Sequence, residues 1–362
     1  MSLVTKAKVG SLLVLGLLAC KKEQAVEKPA EKPGEVVDVS NLAGGSGPGY
    51  VNGPGSTAQF AAPQGVAVDA QGNIYVAEVG SAGVRKITPA GMVSTLSGGM
   101  GQGWLDGALA SARFYTPLDV AVDRLGNLYV ADHGGHRIRK ITSTTVSTLA
   151  GTGVAGFADG PGATAQFNAP NGIAVDAQGV VYVSDSENYR IRKIMPDGTV
   201  STLAGTGQRG IEDGPASTAQ FSSTQGLAVD AQGTVYVADV AAHRIRKILP
   251  NATVTTVAGT GTVGWADGAA SSAKFSGPRG VTLDAGGNLY VVDSNNNCIR
   301  KITPAGQVST VAGTRAQGYA DGPGATAQFD APIDIAYGGS GTFYVSEWGL
   351  ISGARIRKVT VQ

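Results

Sequence analysis

The stretch that decides the fold is residues 170–221, PNGIAVDAQGVVYVSDSENYRIRKIMPDGTVSTLAGTGQRGIEDGPASTAQF. Closely related segments occur six times along the chain. The residue that precedes the first apolar run of each segment is Pro63, Pro117, Pro170, Thr224, Pro278 or Pro332, so the spacing is 53 or 54 residues. Such a constant period predicts a repeat architecture in which each unit buries its faces against its neighbours.

Each repeat contains four short runs with the composition of β-strands. In the quoted unit these runs are residues 172–176, 180–184, 190–194 and 199–203. They are rich in β-branched and aromatic residues, and turn sequences such as Asp-Ala-Gln-Gly and Pro-Asp-Gly separate them. Six units of four strands predict an all-β fold, a six-bladed β-propeller.

The two ends of the repeat region predict how the ring closes. The sixth repeat ends after its third strand, whereas residues 36–44, VVDVSNLAG, match the fourth strand of the other repeats. We therefore expect the N-terminal strand to complete the last blade, which would remove an open sheet edge.

The run G-I-A-V-D-A-x-G-x-x-Y-V-x-D-x-x-x-x-R-I-R-K-I resembles the NHL repeat family of six-bladed propellers, and the resemblance covers residues 36–362. It implies the fold. It says little about activity, because such propellers include protein-binding and RNA-binding modules, sensor domains and some enzymes.

The first 35 residues differ in composition from the repeats. Residues 1–20, MSLVTKAKVGSLLVLGLLAC, combine two lysines, a short apolar run and a small residue before a cysteine. They resemble a bacterial lipoprotein signal peptide with Cys20 as the lipidated residue, and an ordinary secretory signal is the alternative. Residues 21–35 are charged and contain proline, which predicts a flexible tether to a propeller at 36–362. The expected location is the cell envelope, with acyl chains on Cys20 in the lipid bilayer. In a Gram-negative cell the outer membrane is expected, on its periplasmic or surface face.

Composition and charge argue against nucleic acid as a partner. The net charge is +1, and the repeated acidic and basic positions are equal in number, at sixteen each. This balance predicts ion pairs within and between blades rather than a nucleic-acid-binding face.

The GxGxxG runs, such as residues 205–210, lack the following helix of a dinucleotide site. Cys298 takes the place of an arginine in sister repeats and is expected to be buried.

Departures from the repeat mark the candidate binding face, because a ligand site must break the sixfold pattern. These positions lie at the starts of the first strands and just after the second strands. They are Asp119, Asn171, Gln225, Arg279, Asp334, His133 and Trp348. Trp348 belongs to the one irregular loop, where it would contact a partner or cover the closure of the ring.

We therefore predict a binding or scaffolding module for an envelope protein or a small ligand, with no catalytic residues, cofactor or metal. The alternative is a propeller enzyme of the lactonase, hydrolase or lyase type with a divalent cation such as calcium or zinc near the central axis. In that case Asp119, Asp334, Glu78 and Glu347 would supply the ligands.

Overall fold

The computed structural model describes residues 35–45, 47–99 and 101–362. The predicted signal peptide, the lipidated Cys20 and all of the predicted tether except Glu35 lie outside these residues. Glu35–Gln362 forms one compact unit. None of the helices in the described ranges is long and apolar enough to span a membrane.

The described residues form 29 strands and three single-turn 3₁₀ helices. Strand β1 (Val37–Gly44) comes first. Blade 1 contains β2 (Gly53–Pro54), β3 (Pro63–Val68), β4 (Ile74–Glu78), β5 (Gly83–Ile87) and β6 (Met92–Gly98). Blade 2 contains β7 (Gly107–Ala108), β8 (Pro117–Val122), β9 (Leu128–Asp132), β10 (Arg137–Ile141) and β11 (Thr145–Ala150). Blade 3 contains β12 (Pro170–Val175), β13 (Val181–Asp185), β14 (Arg190–Ile194) and β15 (Val200–Ala204).

The second half of the chain continues in the same order. Blade 4 contains β16 (Gly214–Pro215), β17 (Thr224–Val229), β18 (Val235–Asp239), β19 (Arg244–Ile248) and β20 (Thr253–Ala258). Blade 5 contains β21 (Gly268–Ala269), β22 (Pro278–Leu283), β23 (Leu289–Asp293), β24 (Cys298–Ile302) and β25 (Gln307–Ala312). Blade 6 contains β26 (Gly322–Pro323), β27 (Pro332–Gly339), β28 (Thr342–Glu347) and β29 (Arg355–Val361), joined by β1. The 3₁₀ helices are His133–Gly135, Ser186–Asn188 and Ser294–Asn296.

The predicted six-bladed propeller is confirmed, with one correction to the blades. Each blade has four long antiparallel strands, and five of the six sheets add a two-residue fifth strand at the outer edge. This extra strand comes from the connection between blades, where the Asp-Gly or Asn-Gly turn pairs with the fourth long strand. A two-residue pairing lacks the alternating apolar pattern of a strand, so the sequence did not reveal it.

The ring closes as predicted. Strand β1 pairs antiparallel with β29 from Val37↔Val361 to Gly44↔Arg355, and the first strand of each blade contacts the first strands of its two neighbours, including β27 against β3. These six first strands, β3, β8, β12, β17, β22 and β27, are called the inner strands below. Their position around the axis makes them the walls of the central channel.

The hydrophobic core lies between the blades. A phenylalanine before each inner strand is completely buried; these residues are Phe60, Phe114, Phe167, Phe221, Phe275 and Phe329. Phe167, for example, packs with Tyr129 of blade 2 and Val183 of blade 3. Five of the six connections also carry an earlier aromatic residue, and the sixth carries Ile211. In blade 2 this residue, Trp104, remains 47% exposed and lies over the guanidinium of Arg137 at 4.3 Å. The connection is therefore fastened to the blade by a buried ring and a cation–π contact together.

Buried arginines join the connections to the blades, as the charge balance predicted. Arg192 of β14 bonds Asp185 at the end of β13 and Asp159 of the Asp-Gly turn, both at 2.6 Å. The same arrangement of a third-strand arginine and an acidic residue after the second strand occurs in all six blades. The pairs are Arg85–Glu78, Arg139–Asp132, Arg192–Asp185, Arg246–Asp239, Arg300–Asp293 and Arg357–Glu347.

Candidate functional site

Two cavities open along the central channel. The cavity of about 180 Å³, called the upper cavity, is lined by the N-terminal ends of the inner strands. Six of the seven predicted binding residues line it: Asp119, Asn171, Gln225, Arg279, Asp334 and Trp348. Gln64, Leu118 and Ile333 complete its side-chain lining. The geometry thus brings together positions that are up to 229 residues apart in the sequence.

The second cavity, called the lower cavity, has a volume of about 240 Å³. The C-terminal halves of the inner strands line it, mostly with valine, alanine and leucine. Asp119 and Asp334 line both cavities. They therefore lie at the junction between the two cavities.

Asp119 and Asp334 occupy equivalent positions on the inner strands of blades 2 and 6. Asp119 accepts hydrogen bonds from the backbone N–H groups of Val120 at 2.7 Å and Ile173 at 2.8 Å. Asp334 accepts one from the N–H of Val66 at 2.9 Å. Since Ile173 and Val66 belong to the next blade in each case, both carboxylates tie neighbouring inner strands together.

Burial dominates the acidity of this pair. Desolvation raises the pKa of Asp119 well above its ordinary value, and the nearby Asp334 carboxylate raises it further. Burial raises the pKa of Asp334 to about 7. Backbone hydrogen bonds oppose both shifts because they favour the charged form. The channel therefore contains two carboxyl groups that compete for negative charge at neutral pH.

Arg279 is the cationic side chain of the upper cavity. It is half-buried, and the described residues offer it no ion pair or hydrogen bond; its Nε atom is buried without a partner. Desolvation lowers the pKa of its guanidinium, although an arginine remains protonated at neutral pH. It differs in this respect from the six fully buried third-strand arginines, such as Arg192 and Arg300, which bond buried carboxylates.

The upper cavity also contains two side-chain amides. No hydrogen bond to the side chain of Asn171 or Gln225 occurs among the described residues, although both are half-buried. Trp348 is 43% exposed and contributes an aromatic surface to the same cavity. Trp348 therefore lies beside the other residues of the predicted binding face.

His133 is the predicted binding residue that the structure places elsewhere. Its imidazole does not line the upper cavity, and it interacts with the backbone carbonyl groups of Pro170 and Ala169 in the next blade. Desolvation lowers its pKa. His136 and His243 have a similar role, because the Nδ1 atom of each accepts a backbone N–H of the following blade at 3.1 Å. These histidines fasten blades to one another.

The four carboxylates of the metal alternative are not brought together. Glu78 bonds Arg85 and Ser81, and Glu347 bonds Arg357 at 3.0 Å. Neither glutamate lines the cavities that Asp119 and Asp334 share. Within the described ranges, no group of three or more His, Cys, Asp or Glu side chains is placed to share a metal ion. The glutamates therefore lie apart from the two aspartates, because they follow the second strand and bond the third-strand arginines.

Sequence reasoning missed the backbone of the inner strands as part of the site. The signal that could have revealed it is a single repeat position. It reads Gly65, Asp119, Gly172, Gly226, Gly280 and Asp334 in the six blades. Four blades thus have glycine at the position where blades 2 and 6 have a carboxylate.

Comparison with known sequences agrees with the blade structure. The NHL repeat model matches residues 114–141, 167–194, 221–248 and 275–302, which run from the buried phenylalanine to the end of the third long strand in blades 2 to 5. Four segments of the chain match the NHL repeat. Those repeats account for the buried phenylalanine, the inner strand and the buried arginine in each matched blade.

Two curated proteins are similar in sequence to much of this chain. Protein SUPPRESSOR OF QUENCHING 1, chloroplastic, of Arabidopsis thaliana is 30% identical in an alignment of 274 positions that covers 70% of this chain and 26% of that protein. NHL repeat-containing protein 2 of Bos taurus is 30% identical in an alignment of 308 positions that covers 71% of this chain and 41% of the relative. The chain thus spans less than half the length of these relatives.

Solved structures share the propeller at lower identity. A protein of unknown function from Bacteroides thetaiotaomicron superposes with a TM-score of 0.71 at 21% identity, covering 91% of this chain and 76% of the other. An auxiliary nutrient binding protein from the same organism gives 0.67 at 17% identity, covering 90% and 77%. A gluconolactonase from Xanthomonas campestris gives 0.59 at 15% identity, covering 90% of each. These likenesses establish the fold.

Proposed function

We propose that the NHL propeller is a non-catalytic binding module for a small polar ligand and that the upper cavity is its binding site. The observation that carries this proposal is Arg279, which lines the cavity and has no carboxylate partner among the residues that the structure describes. A partly desolvated charge without a counter-ion destabilises the fold. A ligand that brings an acceptor to Arg279 would remove that penalty, which is the expected energetic signature of a binding site.

The rest of the cavity fits the same role. Asn171 and Gln225 can donate and accept hydrogen bonds, while Trp348 and Leu118 offer apolar surface. A few convergent polar groups in a concave, partly apolar pocket are typical of small-molecule sites. The volume of about 180 Å³ suits a small metabolite rather than a folded partner. The propeller of an auxiliary nutrient binding protein shares this fold, which is consistent with such a role.

We propose further that the module is held in the cell envelope by lipid on Cys20, with residues 21–35 as the tether. The support is the order of basic, apolar and small residues in 1–20. Metabolic labelling with a palmitate analogue in the native host tests it. Labelling of the wild type and loss of labelling in Cys20→Ser is the expected result, with Cys298→Ser as the control that keeps its label. An unlabelled wild-type protein would contradict the anchor.

Ligand binding can be followed through Trp348. The chain has three tryptophans, and replacing Trp104 and Trp265 by phenylalanine, the residue that blade 3 carries at the equivalent Phe157, leaves Trp348 as the only indole. The purified full chain in mild detergent is titrated with glucose, alanine and propionate. We expect a saturable change in Trp348 emission with at least one of them.

A matched pair of variants makes this experiment specific. Arg279→Gln removes the charge from the cavity, whereas Arg124→Gln makes the same change at an exposed hairpin position. Binding is expected to weaken in the first variant and to remain in the second. The proposal fails if no probe alters Trp348 emission, or if both variants bind as the parent protein does. Binding of an envelope protein stays a prediction from the sequence.

A further inference from the structure

The inner strands present a ring of backbone N–H groups to the channel. In blade 4 the N–H of Asp230 bonds the carbonyl of Thr234, and hydrogen-bonded and non-hydrogen-bonded pairs alternate along an antiparallel ladder. Leu227, three residues earlier and opposite Val237, therefore directs its N–H away from its own sheet and into the channel. The equivalent residues of the six blades are Val66, Val120, Ile173, Leu227, Val281 and Ile335.

Two aspartates accept from four of these six donors. Asp119 bridges the N–H of Val120 in its own blade and that of Ile173 in the next. Asp334 bridges Ile335 and Val66 in the same way. The bridges therefore cover blades 2 and 3 and blades 6 and 1. No side chain of the described residues accepts from Leu227 of blade 4 or Val281 of blade 5.

Gly226 occupies the corresponding place between blades 4 and 5. It precedes Leu227 as Asp119 precedes Val120. A Cβ atom built on Gly226 would lie 2.5 Å from the carbonyl oxygen of Arg279 and 3.1 Å from the backbone nitrogen of Val281, so a side chain at this position would meet the backbone of the next blade beside its N–H group. The aspartates belong to blades 2 and 6. If every second blade carried an aspartate at this position, the third one would be in blade 4. Blade 4 has glycine instead.

Arg279 supplies a positive charge on the same side of the channel. It lies two residues before Val281 on β22 and lines the upper cavity together with Gly226 and Gly280. The two N–H donors and a guanidinium without an acidic partner are thus on adjacent strands, opposite the half of the ring that already carries carboxylates.

We propose that the channel binds a small monocarboxylate at the junction of the two cavities. Its carboxyl group bridges the N–H groups of Leu227 and Val281, which line the lower cavity, and pairs with Arg279 of the upper cavity. The ligand would take the part that Asp119 and Asp334 play in the other blades. This inference rests on the proposed function and specifies the ligand class. A planar carboxylate has two oxygen atoms that can accept from both N–H groups, and its shape also suits the forked donors of a guanidinium. A second negative charge on the bound group would be opposed by Asp119 and Asp334, which favours a monoanion.

The experiment compares propionate with propionamide, its neutral isostere, on the ¹⁵N-labelled full chain in mild detergent. Amide resonances report the position of binding directly. We expect propionate to shift the resonances of Leu227 and Val281 saturably, and propionamide to bind at least about tenfold more weakly. Arg279→Gln should weaken propionate binding at least about tenfold, with the melting temperature and the remaining spectrum showing that the variant is folded. Arg124→Gln should bind as the parent protein does.

The possible outcomes separate this inference from the proposed function. If glucose or alanine shifts Asn171, Gln225 and Trp348 while propionate leaves Leu227 and Val281 unchanged, the cavity is a binding site but the carboxylate inference is overturned. If propionamide binds as well as propionate, the charge of Arg279 has no role and the inference is also overturned. If no probe shifts any resonance of the upper cavity, both proposals fail.

Discussion

Asp119 accepts the backbone N–H of Ile173 at 2.8 Å, and this one hydrogen bond joins the inner strand of blade 2 to that of blade 3. The same carboxylate also accepts the N–H of Val120 in its own blade at 2.7 Å. Because the inner strands of different blades belong to separate sheets, such side-chain bridges supply polar connections where no β-ladder exists.

Replacing Asp119 by alanine is expected to destabilise the ring. The change leaves two buried N–H donors without an acceptor, each of which costs roughly 1–3 kcal/mol. Asp119→Asn should cost less, because its amide oxygen can still accept one of them. Chemical denaturation measures both losses. Asp197→Ala, in an exposed turn, is the control, and a loss no larger than that of the control would contradict the bridge.

The stability of the protein should fall as the pH rises through about 7. Burial raises the pKa of Asp334 to about 7, so the folded state holds this proton more tightly than the unfolded state does. The resulting loss in the free energy of unfolding is absent below about pH 4, grows as the pH rises, and is complete above about pH 7. We expect the melting temperature of the wild type to be lower at pH 8 than at pH 6.

Asp334→Asn tests the assignment of this pH effect. The amide cannot ionise, yet its oxygen can still accept the N–H of Val66. The variant should therefore lose stability less steeply between pH 6 and pH 8 than the wild type does. Parallel curves for the two proteins would show that Asp334 is not the group responsible.

The buried arginine pairs should be intolerant even of conservative changes. Arg192 donates to Asp185 and Asp159 and to the carbonyl groups of Gln166 and Ala158. Lysine cannot reproduce this planar set of donors, so Arg192→Lys leaves buried acceptors without partners. We expect a loss of about 3–5 kcal/mol in the free energy of unfolding. Arg124→Lys, on the surface, should change it by less than about 0.5 kcal/mol, and an equally small effect at Arg192 would refute the prediction.

Closure of the ring depends on the core contacts of β1. Val39 is completely buried and packs with residues of blades 5 and 6, including Phe329 and Phe343. Val39→Ala removes two methyl groups and should cost roughly 2 kcal/mol. Val36→Ala, which changes a side chain that is 66% exposed, is the matched control. Equal stability of the two variants would mean that the closing strand contributes little.

Cys298 should be unreactive in the folded protein. Its thiol is buried in β24, and desolvation strongly raises its pKa, so the thiolate that reacts with alkylating reagents is scarce. Peptide mass spectrometry after iodoacetamide treatment should find Cys298 unmodified in the native protein and modified in denaturant. Rapid native labelling would show that this strand opens.

The sequence alone determined the architecture, because the evidence for it is periodic. Six copies of one strand pattern, and an N-terminal segment that matches the missing fourth strand, specify six blades and their closure regardless of atomic detail. It also predicted the ion pairs, since the acidic and basic positions repeat with the same period. The two-residue outer strands escaped prediction because a pair of residues has no pattern to recognise.

The site was only partly predictable. Repeat irregularities pointed to Arg279, Asn171, Gln225 and the two aspartates, because a ligand site has to break the sixfold pattern. The sequence could not decide which carboxylates share a space. Glu78 and Glu347 form ion pairs with Arg85 and Arg357. Asp119 and Asp334 instead line the two cavities of the channel. Only the tertiary structure decided this, because the direction of a side chain and the N–H group that it faces depend on how neighbouring blades pack around the axis.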